Sequence, residues 1–409
     1  MAQSIQLLRS PVLPAGFRAA GMACGIKGGG KPDLGMLVSD CPAVCWATFT
    51  TNRIKASPVK LSMRHLKGGQ LQAVLVNSGN ANACNGRQGD KDARMMAKAA
   101  ADASGLKERQ VFVCSTGIIG VPLPVEKIQE AAPAVVKSLR PGGLRDFSRA
   151  ILTSDKRNKV VSARISIEGR EVTITGVAKG AGMIAPNMAT MLAFITTDAA
   201  VSTAEIKSAT CNAVADSFNC ISVDGDMSTN DTVLVMANGA AGNRAIKPGS
   251  KASRVFRSAL ARVMLELAWK LVRDGEGVTK FVTIEVLGAA SQEDARRVAE
   301  SVANSSLVKC SWNGSDPNWG RVIDAVGYSG ARVQEAKVDI FFGGLAGARG
   351  GQVARTSIAR LKAAVSRKEF TVTINLNIGR GTHRVFTSDL SEGYVAYNRL
   401  EYALKLQGR

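Results

Sequence analysis

The chain alternates short apolar runs with stretches of helical period, and this pattern predicts alternating strands and helices. In the first half, apolar runs closed by Gly, Asn or Pro predict buried strands at residues 43–50, 71–76 and 111–114. Residues 171–178 alternate like a strand, and a glycine loop joins them to an apolar run at 191–195 that predicts another strand. Segments in which apolar residues recur every three or four positions predict helices at residues 92–103, 124–138 and 203–214. The last of these helices begins with a capping-box pattern, with Ser202 at the N-cap and Glu205 three residues later.

A second group of predicted strands lies late in the chain, at residues 280–287, 336–342 and 370–378. The last one alternates apolar and polar residues, which predicts a sheet with one solvated face. Glycine-containing segments at 288–294 and 343–351 are the predicted loops or boundaries. Together the patterns predict an α/β or α+β fold with a smaller C-terminal domain from about residue 280.

Composition and charge narrow the class of protein. The 409 residues are 45% hydrophobic with 41 glycines, which is typical of a globular protein rich in tight turns. The formal net charge is +20, but the basic residues are scattered among acidic ones rather than clustered. A scattered positive charge favours small anions, such as carboxylates or a phosphate-bearing coenzyme, over nucleic acid.

The eight cysteines are spread along the chain without a CxxC pair, and the two histidines lie far apart, at His65 and His383. This usage predicts reduced thiols, a cytoplasmic location and no metal site. No stretch of eighteen apolar residues occurs, so neither export nor membrane spanning is expected.

Two segments imitate ligand loops without completing them. Residues 25–31 match the GxxxxGK letters of a phosphate loop, but Pro32 stands where Ser or Thr must bind magnesium, so a flexible turn is expected. Residues 224–231 imitate a calcium loop but lack its Gly at position six and its Glu at position twelve. We therefore expect neither a nucleotide loop nor a calcium site there.

Two small-residue segments follow predicted strands. Residues 77–86, NSGNANACNG, are compatible with an anion-holding loop and equally with a self-bonded Asx turn. Residues 115–120, STGIIG, offer a glycine N–H beside a threonine hydroxyl, which is the composition of an oxyanion hole and also of a common turn. Both interpretations stay open for each segment.

Thr190 opens a predicted strand behind the glycine-rich loop that begins at Lys179. Cleavage before Thr190 would free its α-amine to act as base for its own hydroxyl, in a chain with only two histidines. The alternative is a β-branched residue that merely starts a strand. In DGEG, Glu276 suits a ligand amine or an ordinary acidic turn, and the DPNWGR segment at 316–321 indicates a packing turn.

Taken together, these segments resemble the arginine-biosynthesis family of ornithine acetyltransferases, also called glutamate N-acetyltransferases. The similarity covers nearly the whole chain. The strings that carry it are PAGFRAAG from residue 14, TFTTN from 48, NSGNANAC from 77, STGIIG from 115, KGAGMIAPNMATML from 179, DGD from 224, STNDT from 228, DGEG from 274 and DPNWGR from 316.

The resemblance implies a self-cleaving precursor, cut between Ala189 and Thr190 into an α segment (1–189) and a β segment (190–409). It implies a layered sandwich of stacked sheets flanked by helices, of the N-terminal-nucleophile type. It also implies a dimer of processed protomers, with no bound cofactor or metal and with acetyl-CoA as an additional co-substrate in some relatives.

The implied reaction is a ping-pong transfer of acetyl from N-acetylornithine to glutamate through an acetyl-threonine. The family pattern places the oxyanion donors at Thr116 and Gly117. It places the substrate contacts at Thr153, Lys179, Thr190, Glu276 and Asn398.

The chain departs from the family pattern at three places: Ser154 follows Thr153 where Thr is commoner, Met227 replaces a small polar residue, and Ala403 stands where a hydroxyl is expected. Two alternatives to the transferase follow from the same residues. An amidohydrolase or aminopeptidase would use the same threonine with water as acceptor, and a non-catalytic anion- or nucleic-acid-binding protein would keep the fold without cleavage.

Overall fold

The structure is a computed structural model that describes residues 5–185 and 191–406, with side chains up to residue 399. The predicted cleavage residues Ala189 and Thr190, and the side chain of Ala403, lie outside the described residues. By contacts the described chain divides into two compact units. The first comprises residues 5–180, 191–219 and 227–271, and the second comprises 181–185, 220–226 and 272–406. The predicted division into α and β segments is a separate property and stays a prediction.

The first unit is built on a nine-stranded mixed sheet. Its strands are β1 (Gln6–Leu7), β2 (Phe17–Met22), β3 (Leu34–Phe49), β4 (Gln70–Asn80), β5 (Val111–Ile118), β6 (Lys159–Ile167), β7 (Arg170–Lys179), β8 (Leu192–Thr197) and β9 (Thr232–Ala237). Their order is β1-β6-β7-β8-β9-β3-β4-β5, with β2 paired to β3. The pairs β4–β5 and β8–β9 are parallel and the others antiparallel.

Six helices accompany this sheet in the described chain: α1 (Ser57–His65), α2 (Gly86–Ser104), α3 (Val125–Lys137), α4 (Leu144–Ala150), α5 (Thr203–Ala215) and α6 (Lys251–Arg273). Alternate residues of β4 enter two separate clusters, because successive strand side chains point to opposite faces. Val74 and Val76 pack with Phe147 of α4, whereas Leu75 packs with Met96 of α2 and Ile128 of α3. The sheet is therefore covered by apolar side chains on both faces.

The second unit has a six-stranded sheet of β10 (Phe281–Ala289), β11 (Asp339–Phe342), β12 (Leu345–Arg349), β13 (Gln352–Val353), β14 (Glu369–Asn375) and β15 (Gly381–Ser388), in the order β13-β12-β11-β14-β10-β15. Its helices are α7 (Gln292–Asn304), α8 (Ser306–Asn313), α9 (Trp319–Gly327), α10 (Ile358–Val365) and α11 (Glu392–Leu406). Trp312 and Phe342 are fully buried in its core, which is separate from that of the first unit.

The α/β fold of sheets flanked by helices is confirmed, and the alternation predicted for β14 appears as buried residues between partly exposed ones. The loop predicted at 343–351 is wrong, because β12 lies inside it and forms a hairpin with β11. Helix α6, with 23 residues, was not predicted. Its signals are present, since Ser250 accepts the backbone N–H of Ser253 and apolar residues recur at helical spacing behind it.

The capping box predicted for α5 is half confirmed. The Ser202 hydroxyl accepts the backbone N–H of Glu205 at 3.3 Å. In a full capping box the Glu205 carboxylate would also accept the backbone N–H of Ser202. Here that carboxylate binds Arg257 and Ser253 of α6 instead. A fully buried carboxylate is stabilised more by a guanidinium than by a second backbone amide.

Candidate active site

The NSGN and STGI segments are the adjoining ends of the parallel strands β4 and β5, rather than loops that follow shorter strands. Gly117 lies opposite Gly79 with a φ of +139°. A Cβ on Gly117 would lie 2.3 Å from the carbonyl carbon of Gly79. Only glycine fits this close approach, so the backbone around Gly117 N–H is fixed by strand pairing and not by a flexible turn.

Lys179 brings two predicted site residues together at the end of β7. Its ammonium donates to Thr116 Oγ1 at 3.1 Å and to Thr153 Oγ1 at 2.7 Å. The residue is 2% exposed. Because an ammonium has only donors, both hydroxyl oxygens accept from it, and each threonine keeps its own O–H proton for another acceptor.

Asp155 is a site residue that the sequence analysis did not identify. Its carboxylate accepts Lys159 Nζ at 2.5 Å, Gly180 N–H at 2.7 Å and Thr153 N–H at 3.1 Å. Burial raises the pKa of Asp155, but the neighbouring Lys179 and Lys159 outweigh it and hold the pKa at about 2. Asp155 is thus a permanent anion that orders both Thr153 and the backbone after Lys179.

The GIKGGGK segment forms a turn whose start is ordered by Asp33. The Asp33 carboxylate accepts the backbone N–H groups of Cys24 at 2.6 Å and Lys27 at 2.7 Å. The Lys27 ammonium donates to the carbonyl oxygens of Pro32 and Leu152 at 3.0 and 2.5 Å. Burial, with Lys179 nearby, lowers the pKa of Lys27 to about 8. Lys27 therefore lies near Lys179, and the carboxylates of Asp33 and Asp155 are close to it as well.

The STND segment, residues 228–231, forms hydrogen bonds both to the chain at the ends of β4 and β5 and to the residue that follows Thr190. Asn230 Nδ2 donates to the carbonyl oxygens of Ala81 and Ser115, both at 2.8 Å. The Asp231 carboxylate accepts the backbone N–H of Met191 at 2.8 Å. Burial raises the pKa of Asp231 well above its usual range.

In the second unit, Glu276 and Asn398, which the family pattern predicts as substrate contacts, lie side by side. Asn398 Nδ2 donates to Glu276 Oε2 at 3.1 Å. Glu276 is 7% exposed, and its backbone N–H donates to Ala181 O at 2.8 Å. A Cβ on Gly182 would lie 2.5 Å from the Glu276 carboxylate, so this glycine leaves room for it. One carboxylate beside an amide can bind a primary ammonium.

Asp224 of the DGD segment organises the backbone of the glycine loop. Its carboxylate accepts the N–H groups of Met183 at 2.6 Å and Ile184 at 2.7 Å, and Tyr394 donates its hydroxyl at 3.3 Å. Burial raises the pKa of Asp224. Both oxygens of this carboxylate thus accept backbone N–H groups of the glycine loop.

The structure thus assembles Thr116, Gly117, Thr153 and Lys179 in the first unit, and Glu276 with Asn398 in the second. The DPNWGR segment acts in packing, since Asn318 caps α9 by accepting Arg321 N–H at 3.1 Å. Within the described ranges, no group of three His, Cys, Asp or Glu side chains has metal-binding geometry. Likewise, the helices that the structure describes include none with the length and apolar character needed to cross a membrane.

Comparison with known proteins gives consistent matches. The model of the ArgJ family matches residues 18–402. The "Arginine biosynthesis bifunctional protein ArgJ" of Geobacter sulfurreducens is 48% identical over 94% of this chain and 98% of its own. The protein of the same name from Symbiobacterium thermophilum is 47% identical over 94% of this chain and 96% of its own. The structure of Mycobacterium tuberculosis ornithine acetyltransferase complexed with ornithine has a TM-score of 0.42 and 39% identity, and it covers 45% of this chain and 98% of the other.

Proposed function

This chain belongs to the ArgJ family, and from that premise we propose that it transfers acetyl from N-acetylornithine to glutamate with Thr190 as nucleophile. The relatives are named as bifunctional arginine-biosynthesis proteins. The observation that carries the catalytic assignment is the bond from Lys179 Nζ to Thr116 Oγ1 at 3.1 Å. Because Thr116 accepts from an ammonium, its own O–H can donate to a developing oxyanion beside Gly117 N–H.

The first step of the proposal is self-cleavage. Thr190 Oγ attacks the carbonyl carbon of Ala189, the C–N bond breaks, and the departing nitrogen takes the hydroxyl proton to become a free α-amine. Water then hydrolyses the resulting ester. The products are the α segment, which ends at Ala189, and the β segment, which begins at Thr190.

The second step is acyl transfer. Thr190 Oγ attacks the acetyl carbonyl carbon while its α-amine takes the proton, and ornithine leaves with that proton on its nitrogen. The amine of glutamate then attacks the acetyl-threonine ester and restores the hydroxyl. Thr116 and Gly117 stabilise the oxyanion of both tetrahedral intermediates.

Substrate binding divides between two chemistries. The Lys179 ammonium, which donates to Thr153, suits a substrate carboxylate. Glu276 with Asn398 suits the ornithine ammonium. Acetyl-CoA serves as an alternative donor for glutamate, which is supported by the bifunctional name of the relatives. We place the enzyme in the cytoplasm as a dimer of processed protomers, each made of one α and one β segment. Its eight cysteines carry free thiols.

Intact-mass spectrometry of the purified protein tests the nucleophile. We expect two fragments that meet at Ala189 and Thr190, and an uncut chain without transferase activity for Thr190→Ala. Thr203→Ala, at the first residue of α5, is the matched control and should still cleave. A single uncut wild-type chain with full activity would contradict the assignment.

A kinetic comparison separates the transferase from an amidohydrolase that uses the same threonine. N-acetylornithine is supplied with and without glutamate, and ornithine release is measured. The transferase requires release to depend on glutamate and N-acetylglutamate to form in equal amount. Faster hydrolysis without glutamate would favour the amidohydrolase.

A further inference from the structure

Asp231 carries a polar atom that the structure leaves unexplained. The residue is fully buried, and its Oδ2 has no hydrogen-bond partner among the described residues. Its Oδ1 accepts the N–H of Met191 at 2.8 Å. An unpaired buried carboxylate oxygen costs several kcal/mol if the group is ionised, so such an atom calls for a specific reason.

The charged surroundings of Asp231 favour its neutral form. The Lys179 ammonium lowers the pKa of Asp231, but that ammonium already binds Thr116 and Thr153. Burial outweighs both Lys179 and the Met191 N–H, so the pKa of Asp231 is raised. A neutral acid also adds no negative charge near Thr116, where a carboxylate would oppose an oxyanion.

Asn230, the residue before Asp231, contacts the strand end that carries the proposed oxyanion donors. Asn230 is 5% exposed, and its amide donates to Ala81 O and to Ser115 O, the carbonyl directly before Thr116. Thr229 Oγ1 donates to Asn230 Oδ1 at 2.5 Å, which fixes the orientation of the amide. Two consecutive residues therefore bind the oxyanion strand end and the first described residue of the β segment.

We propose that Asn230 and Asp231 are a pair of positioning residues, one for the strand end that carries the oxyanion donors and one for the start of the β segment. Asn230 fixes the end of β5. Asp231 fixes Met191, the residue that follows the proposed nucleophile in the sequence. The buried Oδ2 without a partner among the described residues fits an uncharged side chain, so Asp231 has this role as a neutral acid. The inference rests on the proposed function, because positioning matters only if Thr190 reacts.

The experiment compares Asp231→Asn with Asp231→Ala. Asn keeps the shape, the acceptor for Met191 N–H and the neutral charge, so we expect cleavage and kcat within about threefold of wild type and an unchanged pH profile. Ala removes the bond to Met191, so we expect slower cleavage and at least a tenfold lower kcat per cleaved molecule, with KM nearly unchanged. Circular dichroism and the cleaved fraction by mass correct for misfolded protein.

A second measurement does not depend on activity. The infrared difference between wild type and Asp231→Asn at neutral pH should show the carbonyl band of a protonated carboxyl. A carboxylate band there, or an Asp231→Asn variant as impaired as Asp231→Ala, would overturn the neutral-acid role. Normal kcat in folded Asp231→Ala would overturn positioning while the proposed function stands. Wild-type protein that neither cleaves nor transfers acetyl would reject the proposed function itself.

Discussion

At the scale of single residues, the Thr116 hydroxyl gives the most direct test of the catalytic proposal. Replacing it by Val keeps the β-branched shape in β5 but removes the O–H that Lys179 orients. We expect kcat for acetyl transfer to fall roughly 10²- to 10³-fold, as for the loss of one oxyanion donor, with little change in KM.

Thr116→Ser is the matched control, because it keeps the hydroxyl and should retain most of the activity. Steady-state kinetics on fully cleaved protein provide the comparison. Equal kcat values for the Ser and Val variants would show that the hydroxyl is not an oxyanion donor.

Asp155 gives a prediction about pH. Its folded pKa of about 2 lies below the ordinary value of 3.8, so its stabilising contribution is full above about pH 4 and is lost as the pH falls toward 2. The shift corresponds to about 2 kcal/mol. We expect Asp155→Asn to lower the free energy of unfolding by about this amount at pH 7, and by progressively less below pH 4.

Urea unfolding from about pH 2 to about pH 7, an interval that includes both the folded pKa of about 2 and the ordinary value of 3.8, measures this difference. The exposed Asp102, which pairs with Lys98 on α2, supplies the control substitution Asp102→Asn, with an expected change below about 0.5 kcal/mol. A difference between wild type and Asp155→Asn that does not shrink toward low pH would contradict the role of the Asp155 charge.

Local sequence identified only part of the site. Thr116, Gly117 and Glu276 were candidates from their local composition, each with an ordinary turn as the alternative. The resemblance to the family chose between these alternatives and added Thr153, Lys179 and Asn398 as substrate contacts. Asp155 and Asp231 were missed because their partners lie elsewhere in the chain: Gly180 for Asp155 and Met191 for Asp231. Single acidic residues carry no pattern that reveals burial or such long-range donors.

At the scale of elements, the contact between α5 and α6 rests on a buried ion pair. Glu205 is fully buried, and Arg257 Nε and Nη2 each donate to its carboxylate at 2.8 Å. Removing the guanidinium leaves a buried charge with only Ser253 as a side-chain donor. We therefore expect Arg257→Ala to destabilise the protein by about 3 kcal/mol.

The measurement is chemical unfolding, with Lys98→Ala in the exposed pair of α2 as the control, for which the free energy of unfolding should stay close to that of wild type. Acetyl transfer per folded molecule should stay unchanged in both variants. A loss near zero for Arg257→Ala would mean that Glu205 takes up a proton and is buried neutral.

Elements were predictable where a single periodicity dominated. The apolar cores of β4, β5 and β8 follow that rule. Their predicted ranges, 71–76, 111–114 and 191–195, overlap the strands that the structure shows. The ends of β4 and β5 were not predictable, because Asn, Ser and Gly are typical of loops and remain in the strands here only through pairing with each other. Tertiary pairing overrides local propensity at these positions.

At the scale of the whole molecule, the net charge of +20 has a kinetic consequence. A positive field accelerates the encounter with anionic substrates, and salt screens it over about 10 Å at 0.1 M. We expect kcat/KM for glutamate, measured on the acetylated enzyme, to fall severalfold as NaCl is raised from about 0.02 to 0.5 M, a range over which the screening length shortens greatly.

Most of the change should lie in KM, since steering affects association rather than the chemical step. Sucrose of equal osmolality is the control and should leave kcat/KM nearly constant. An equal fall in sucrose would assign the effect to water activity instead of charge.

The contact between Gly79 and Gly117 also bears on how this enzyme can be redesigned. A Cβ on Gly79 would lie 3.0 Å from Lys27 Cγ, and a Cβ on Gly117 would meet the backbone of Gly79. Main-chain atoms of β4 and β5 therefore touch at these glycines, and the Lys27 side chain lies close against Gly79. Combinatorial libraries that alter acyl-donor range should leave both glycines invariant, because any added side chain there would displace the backbone that supplies the Gly117 N–H.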